Sequence, residues 1–232
     1  MKYYFIDFEM CPVERKIMAQ KPGEKCSMEI IEIGVIRLNE DLKEDASFKA
    51  YVKPQFSTRI TKRYENLTGI TQEMLDGADD FQTVMANFLE WVSDSKKDYV
   101  IYAWSENDLK QLMQEMRVKD IALCSDMEYM TQHWQDFQRE YCDLFKIDRV
   151  LSLNKAVRLA GLDFDGRKHD ALWDARNTAQ LFARTRDGEE FEVLRKKISE
   201  VLSPKPLTMS LGDVLKDKLA AAGFDFADNE ND

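Results

Sequence analysis

Three apolar segments near the amino terminus constrain the fold of this chain more than any other feature. They cover residues 2–9, 29–38 and 48–54, and polar connections separate them. Segments of this length that are rich in β-branched and aromatic residues are typical of strands, and short turns between them favour antiparallel pairing. Residues 29–38 are apolar on both faces for part of their length, as in a strand that is covered on both sides. The sequence therefore predicts a sheet with an antiparallel start.

The rest of the main domain combines one more short strand, residues 99–103, with apolar residues at helical spacing. That spacing predicts helices with one buried side. The predicted helices cover residues 81–92, 109–116, 127–145, 153–160 and 170–186. Ser152 is the expected N-cap of the fourth helix, and Gly161 ends it. The predicted fold class is α/β, with a mixed sheet flanked by helices.

The 232 residues are expected to form one main domain, residues 1–186, and a helical extension, residues 187–232. The main domain is large enough to bury a core of ordinary size. In the extension we predict a charged helix that ends near Leu202, a short helix over residues 211–222 and an acidic tail over residues 225–232.

Composition and charge exclude some classes of function. No apolar run approaches the roughly 20 residues that span a bilayer, and Asp7 introduces charge too early for a signal-peptide core. We therefore expect a cytoplasmic protein without a membrane partner. The net charge of −10 argues against sequence-blind binding along a duplex, which needs a basic surface. Binding a few nucleotides at one chain end needs few phosphate contacts, so the charge favours a small footprint.

Asp7 and Glu9 are the first candidate catalytic residues. On a strand both side chains face the same side, about 6.6 Å apart. Carboxylates placed in this way repel each other and are costly in an apolar sheet unless they are exposed or neutralised. Mg²⁺ or Mn²⁺ would neutralise them. Other Asp-x-Glu patterns occur in the chain, but only this one lies at the end of an apolar strand. An ordinary polar strand face is the alternative.

Asp108 lies where the strand over residues 99–103 runs into a helix. A carboxylate in the first turn of a helix is stabilised by the helix dipole. Asp108 therefore has two alternative roles, helix capping and catalysis.

The segment from His169 to Asp174 contains the last candidates. Within one helix, these two residues would point about 140° apart. If Asp170 is the N-cap, His169 belongs to the preceding loop and can lean over the site, while Asp174 projects from the first turns. The other histidine, His133, lies among aromatic residues and is interpreted as structural.

These five residues together resemble the DEDDh exonucleases, also called the DnaQ-like or ribonuclease T-like family. The resemblance rests on three segments in the family's order, residues 5–9, 104–109 and 168–179, and covers roughly residues 1–185. It implies a ribonuclease H-like fold and 3′→5′ exonuclease activity. It also implies that four carboxylates bind two Mg²⁺ or Mn²⁺ ions and that His169 is the general base. Those four carboxylates are Asp7, Glu9, Asp108 and Asp174.

Residues 66–71 resemble the family's loop after the third strand, whose apolar residues wedge against the terminal base. The resemblance implies substrate contacts for Phe8, Met10, Leu67, Thr68 and Ile70. Core packing is the alternative for Leu67 and Ile70.

Residues 6–9 and 166–172 are similar to the Eri-type branch of the family, which acts mainly on RNA. The resemblance thus implies removal of nucleoside 5′-monophosphates from the 3′ end of single-stranded RNA. A DNA proofreading or repair exonuclease and a non-catalytic nucleic-acid-binding module are the alternatives.

Overall fold

The sheet begins with three antiparallel strands, as predicted, and three short strands complete it. The computed structural model describes residues 1–18 and 26–202. In these ranges the strands are β1 Lys2–Pro12, β2 Met28–Leu38, β3 Glu44–Lys53, β4 Asp79–Asp80, β5 Tyr99–Ala103 and β6 Trp134–Asp136. Their order is β4-β3-β2-β1-β5-β6. β1 and β3 run antiparallel to β2, whereas β4, β5 and β6 pair in parallel with their neighbours, so the sheet is mixed.

Helices cover both faces of this sheet. In the described ranges they are α1 Arg15–Met18, α2 Lys62–Thr68, α3 Gln72–Asp76, α4 Phe81–Ser93, α5 Glu106–Val118, α6 Ser125–Gln132, α7 Phe137–Leu144, α8 Leu153–Leu159, α9 Ala171–Arg186 and α10 Gly188–Leu202. None of the described helices is both long enough and apolar enough to cross a membrane.

The two faces of the sheet carry separate cores, and the alternation of β1 assigns its side chains to them. Tyr4, Ile6 and Phe8 pack with apolar residues of α4, α5 and α6. Phe5 packs on the opposite face with residues of α7, α8, α9 and α10. Each large apolar side chain buried in this way contributes about 1.5–3 kcal/mol. Because successive strand residues alternate, Asp7 lies on the same face as Phe5, beneath α9.

The predicted helix over residues 127–145 is wrong, because α6, β6 and α7 take its place. His133 ends α6, and Trp134 to Asp136 pair in parallel with Ile101 to Ala103 of β5. Asp136 then caps α7 by accepting a hydrogen bond from the backbone N–H of Arg139. The apolar spacing continues through all three elements, so periodicity alone predicts one helix where a three-residue strand intervenes.

The predicted loop over residues 66–71 is only partly a loop. Asn66 to Thr68 form the last turn of α2, and Gly69 ends that helix with φ of 79°. Such a left-handed residue after the last turn is a common helix ending.

The last described helix, α10, packs on the core that lies on the Phe5 side of the sheet. Met1–Ile198 form one compact unit, and Leu194 and Ile198 of α10 are buried within it. The boundary at residue 186 stays a prediction. The predicted helix over residues 211–222 and the acidic tail lie outside the described residues.

Candidate active site

β1 brings Asp7 and Glu9 to the sheet face that α9 covers. Glu9 is buried and lies opposite Glu32 of β2 in the antiparallel register. A β-bulge follows directly, between Glu9 and Met10. Bulges are common next to active sites because they re-aim side chains and end regular pairing.

Burial and neighbouring negative charge raise the pKa values of both carboxyls. The pKa of Asp7 lies well above its usual range because of burial, then because of the charges of Asp108 and Asp174. Burial raises the pKa of Glu9 to about 8, and the charges of Asp174 and Glu32 add to this effect. Glu32, Asp108 and Asp174, from three separate parts of the chain, therefore all lie close enough to raise the pKa values of Asp7 and Glu9.

Asp108 reaches this cluster from the first turn of α5. Ser105 caps the helix by accepting a hydrogen bond from the backbone N–H of Asn107. Burial raises the pKa of the Asp108 carboxyl to about 7, although a hydrogen bond from the Phe8 backbone opposes the shift. Ser105 already caps α5, and the charge of Asp108 acts on Asp7. Membership of the carboxylate cluster therefore explains the position of Asp108 better than helix capping does.

The start of α9 has the predicted geometry. The Asp170 side chain accepts hydrogen bonds from the backbone N–H groups of Leu172 and Trp173, so Asp170 is the N-cap. His169 precedes the helix, with φ of 60°, and its side chain is exposed. Glu9, His169 and Asp174 each offer one ligand atom, and these atoms lie within 4.8 Å of one another. Burial raises the pKa of Asp174 to about 7.

The cluster fits a divalent metal centre. The negative charges of neighbouring carboxylates raise the pKa values of Asp7, Glu9, Asp108 and Asp174, and a hard cation bound among these groups would offset the repulsion. The carboxylate oxygen atoms of this cluster form a donor set suited to Mg²⁺ or Mn²⁺. The structure thus brings together all five candidates, and their individual catalytic roles stay predictions.

One buried carboxylate beside the site was missed by sequence reasoning. Glu32 is 1% exposed, and its charge helps raise the pKa values of Asp7, Glu9 and Asp174. The available signal was a charged residue within the otherwise apolar run from Ile30 to Ile36 of β2.

The candidate substrate-contacting residues differ in accessibility. Leu67 is 43% exposed, whereas Thr68, Ile70 and Phe8 are buried. Met10 is half-buried. Ile70 packs in a small core with Cys11, Ile31, Ile60 and Leu75. Contacts between these residues and a base stay predictions, and Leu67 has the most surface available for one.

Arg167 connects the end of α2 to the loop that carries His169. Its Nη2 donates hydrogen bonds to the backbone oxygens of Asn66, at 3.1 Å, and Leu67, at 3.4 Å. Gly69 leaves room for this contact, since a Cβ atom there would lie 1.8 Å from Arg167 Nη1. The exposed Leu67 is thereby held near the His169 loop.

The mixed sheet and its cluster of carboxylates from β1, α5 and α9 define a nuclease of the ribonuclease H-like, DEDDh class. The model of the RNase_T family, described as exonuclease, matches residues 4–182. The chain belongs to this exonuclease family, whose members depend on divalent metal ions.

Relatives and solved structures agree with this assignment. The 3′-5′ exoribonuclease 1 of Rattus norvegicus is 29% identical over 177 residues, which are 72% of this chain and 50% of the relative. The 3′-5′ exonuclease crn-4 of Caenorhabditis elegans is 28% identical over 176 residues, 67% of this chain and 55% of the relative. The chain thus spans about half the length of these curated relatives.

The solved nuclease domain of 3′hExo, a DEDDh family member bound to rAMP, is similar with a TM-score of 0.68 and 28% identity. The similarity covers 82% of this chain and 94% of that domain.

Proposed function

We propose that this protein is a 3′→5′ exonuclease that shortens single-stranded RNA and releases nucleoside 5′-monophosphates. The observation that carries the proposal is the cluster of Glu9, His169 and Asp174 with Asp7 and Asp108 on one face of the sheet. The relative from Rattus norvegicus is named an exoribonuclease, and the similar 3′hExo domain holds rAMP. A second similar structure, of a 3′-exonuclease that is 27% identical, describes how that enzyme recognises the 3′ end of a histone mRNA stem-loop.

Asp7, Glu9, Asp108 and Asp174 would hold two ions, Mg²⁺ or Mn²⁺. When bound, such ions activate water and neutralise charge on the phosphate and on the leaving oxygen. The raised pKa values of these carboxyls mean that the metal-free site retains protons, which cation binding would displace.

His169 would accept the proton from the attacking water. The water oxygen forms the new bond to phosphorus, and the bond from phosphorus to the 3′-oxygen breaks. The 3′-oxygen takes a proton from solvent, so that the shortened chain leaves with a 3′-hydroxyl, and His169 returns its proton to solvent. His169 is exposed and precedes the helix, so its imidazole can approach a bound substrate without moving α9. General-base catalysis of this kind contributes about 10²–10⁴-fold in rate.

A small binding footprint supports action at a chain end. With a net charge of −10, the protein has little capacity to neutralise many phosphates at once. The exposed Leu67, held near the His169 loop by Arg167, is placed to contact the terminal base.

The direct test is cleavage of a 5′-labelled single-stranded RNA in Mg²⁺ or Mn²⁺, with a DNA of the same sequence in parallel. We expect stepwise shortening from the 3′ end, faster on RNA, and loss of activity in EDTA. Asp174→Asn removes one carboxylate that would hold the ions and should abolish cleavage. The matched control Asp163→Asn changes an exposed carboxylate and should retain activity. Undiminished cleavage by Asp174→Asn would refute the site assignment, and equal or faster cleavage of DNA would refute the RNA preference.

A further inference from the structure

A lysine on β3 forms ion pairs immediately behind the candidate active site. Lys49 Nζ lies 2.8 Å from Oε1 of Glu32 and 2.6 Å from Oδ2 of Asp170. The Glu32 side chain is 1% exposed and that of Asp170 is 18% exposed. One cation thus joins a buried residue of the sheet to the N-cap of α9.

Both partners of Lys49 also bind the backbone at the start of α9. Glu32 Oε2 accepts a hydrogen bond of 3.1 Å from the N–H of Ala171. Asp170 Oδ1 accepts from the N–H groups of Leu172 and Trp173. The first three N–H groups of α9 are therefore satisfied by two carboxylates that share one lysine, and the first turn of a helix has no other backbone acceptors for such groups.

The start of α9 packs directly on the sheet beside these ion pairs. Lys49 is paired in register with Gly34 of β2. A Cβ atom at Gly34 would lie 2.2 Å from the backbone of Ala171 and Leu172, so the helix touches the strand directly. Glu32, two residues before Gly34, lies opposite Glu9 of β1. Lys49 thus contacts, through Glu32, the strand that lies between β3 and β1.

His169 and Asp174 flank the segment that is held in this way. His169 directly precedes Asp170, and the backbone N–H of Asp174 donates to the Asp170 oxygen at 2.9 Å. A shift of the first turn of α9 would move both side chains relative to Glu9, whose ligand atom lies within 4.8 Å of theirs. Outer contacts of this kind orient the groups that bind a metal, and losing them costs about 10–100-fold in metal affinity or activity.

We propose that Lys49 is a positioning residue for the nuclease reaction, because its ion pairs with Glu32 and Asp170 place His169 and Asp174 against Asp7 and Glu9. This inference rests on the proposed function. Lys49 does not touch the reacting atoms and acts only through the start of α9.

The test compares Lys49→Met with Lys49→Arg and with the control Lys53→Met, which changes a lysine on the same face of β3. Steady-state cleavage of single-stranded RNA should show a kcat that is about 10–100-fold lower for Lys49→Met. KM should change little, because the substrate-contacting surface is intact. Lys49→Arg should recover part of the loss, and Lys53→Met should behave as the unsubstituted protein. A kcat for Lys49→Met within a few-fold of the unsubstituted protein would overturn the proposal.

A second readout separates positioning from stability and from failure of the proposed function. The increase in unfolding temperature on adding Mn²⁺ should be smaller for Lys49→Met than for Lys53→Met. This comparison stands even if the unsubstituted protein cleaves no RNA, a result that would refute the proposed function alone. If Lys49→Met does not fold, Glu32→Gln/Lys49→Met removes the unpaired buried charge and carries both measurements. An unchanged Mn²⁺ response in the folded variant would refute the role of Lys49.

Discussion

Replacing Glu9 by glutamine should stabilise the metal-free protein at neutral to alkaline pH while abolishing its activity. Glu9 is 8% exposed, and the carboxylates of Asp174 and Glu32 lie near it. Ionising Glu9 without a bound cation therefore places a negative charge in a poorly solvated and already negative site. Glutamine keeps nearly the same shape and does not ionise.

The magnitude follows from the pKa of Glu9, which is about 8 in the folded protein against an ordinary value of 4.5. The folded protein retains this proton at pH values where the unfolded chain has released it. The stability due to the protonated group is thus full below the ordinary pKa and is lost as pH rises toward 8. Linkage over the range from about pH 5 to about pH 8 gives a loss of about 3 kcal/mol from this group.

Thermal unfolding in EDTA at these two pH values measures the effect. Near pH 5 the two proteins should differ little, and near pH 8 Glu9→Gln should unfold about 6–12 °C higher, at roughly 2–4 °C per kcal/mol. Added Mn²⁺ should reverse the order, because only the carboxylate binds the ion well. Glu90→Gln, at an exposed position of α4, is the control for loss of one acidic residue. If Glu9→Gln in EDTA near pH 8 is no more stable than the unsubstituted protein, the argument from burial and repulsion is refuted.

Three other substitutions probe the supports of the site. Gly34→Ala places a Cβ atom 2.2 Å from the backbone of α9; urea titration should show a loss of about 1–3 kcal/mol, and kcat should fall with it. Unchanged stability would mean that α9 can move away. Arg167→Ala removes two hydrogen bonds to the end of α2 and should raise KM for single-stranded RNA about fivefold, measured by steady-state kinetics. An unchanged KM would separate α2 from substrate binding. Lys119→Met leaves two buried glutamates without their cation and should cost about 3–5 kcal/mol in urea titration. Its kcat, measured well below the unfolding transition, should stay near that of the unsubstituted protein, and a large loss would link this ion-pair network to catalysis.

Local sequence signals were sufficient for the parts of the site that depend on local structure. The alternation of β1 predicted Asp7 and Glu9 on one face, and the rotation per helical residue favoured Asp170 as the N-cap of α9 with His169 outside the helix. Both were found in the structure because each depends on the geometry of a single element. The carboxylates of different elements could be brought together only through the family resemblance.

Features that depend on pairing between distant segments were not predictable in the same way. β6 is three residues long, and its neighbours Met130 and Phe137 continue a helical period, so only its pairing with β5 defines it. Glu32 and Lys49 belong to the site through strand register and through contact with α9, neither of which is encoded in their own segments.

The bulge between Glu9 and Met10 divides β1 into two parts with independent alignment on β2. On the Asp7 side, a slip of one residue would turn both carboxylates to the opposite face. Because Glu9 pairs with Glu32 and Met10 with Ile30, β2 already accommodates one extra residue, Ile31, at this point. A change in the length of the following connection therefore need not propagate back along β1. Insertions and deletions between β1 and β2 can therefore accumulate during evolution while the part of the strand that carries Asp7 and Glu9 is inherited intact.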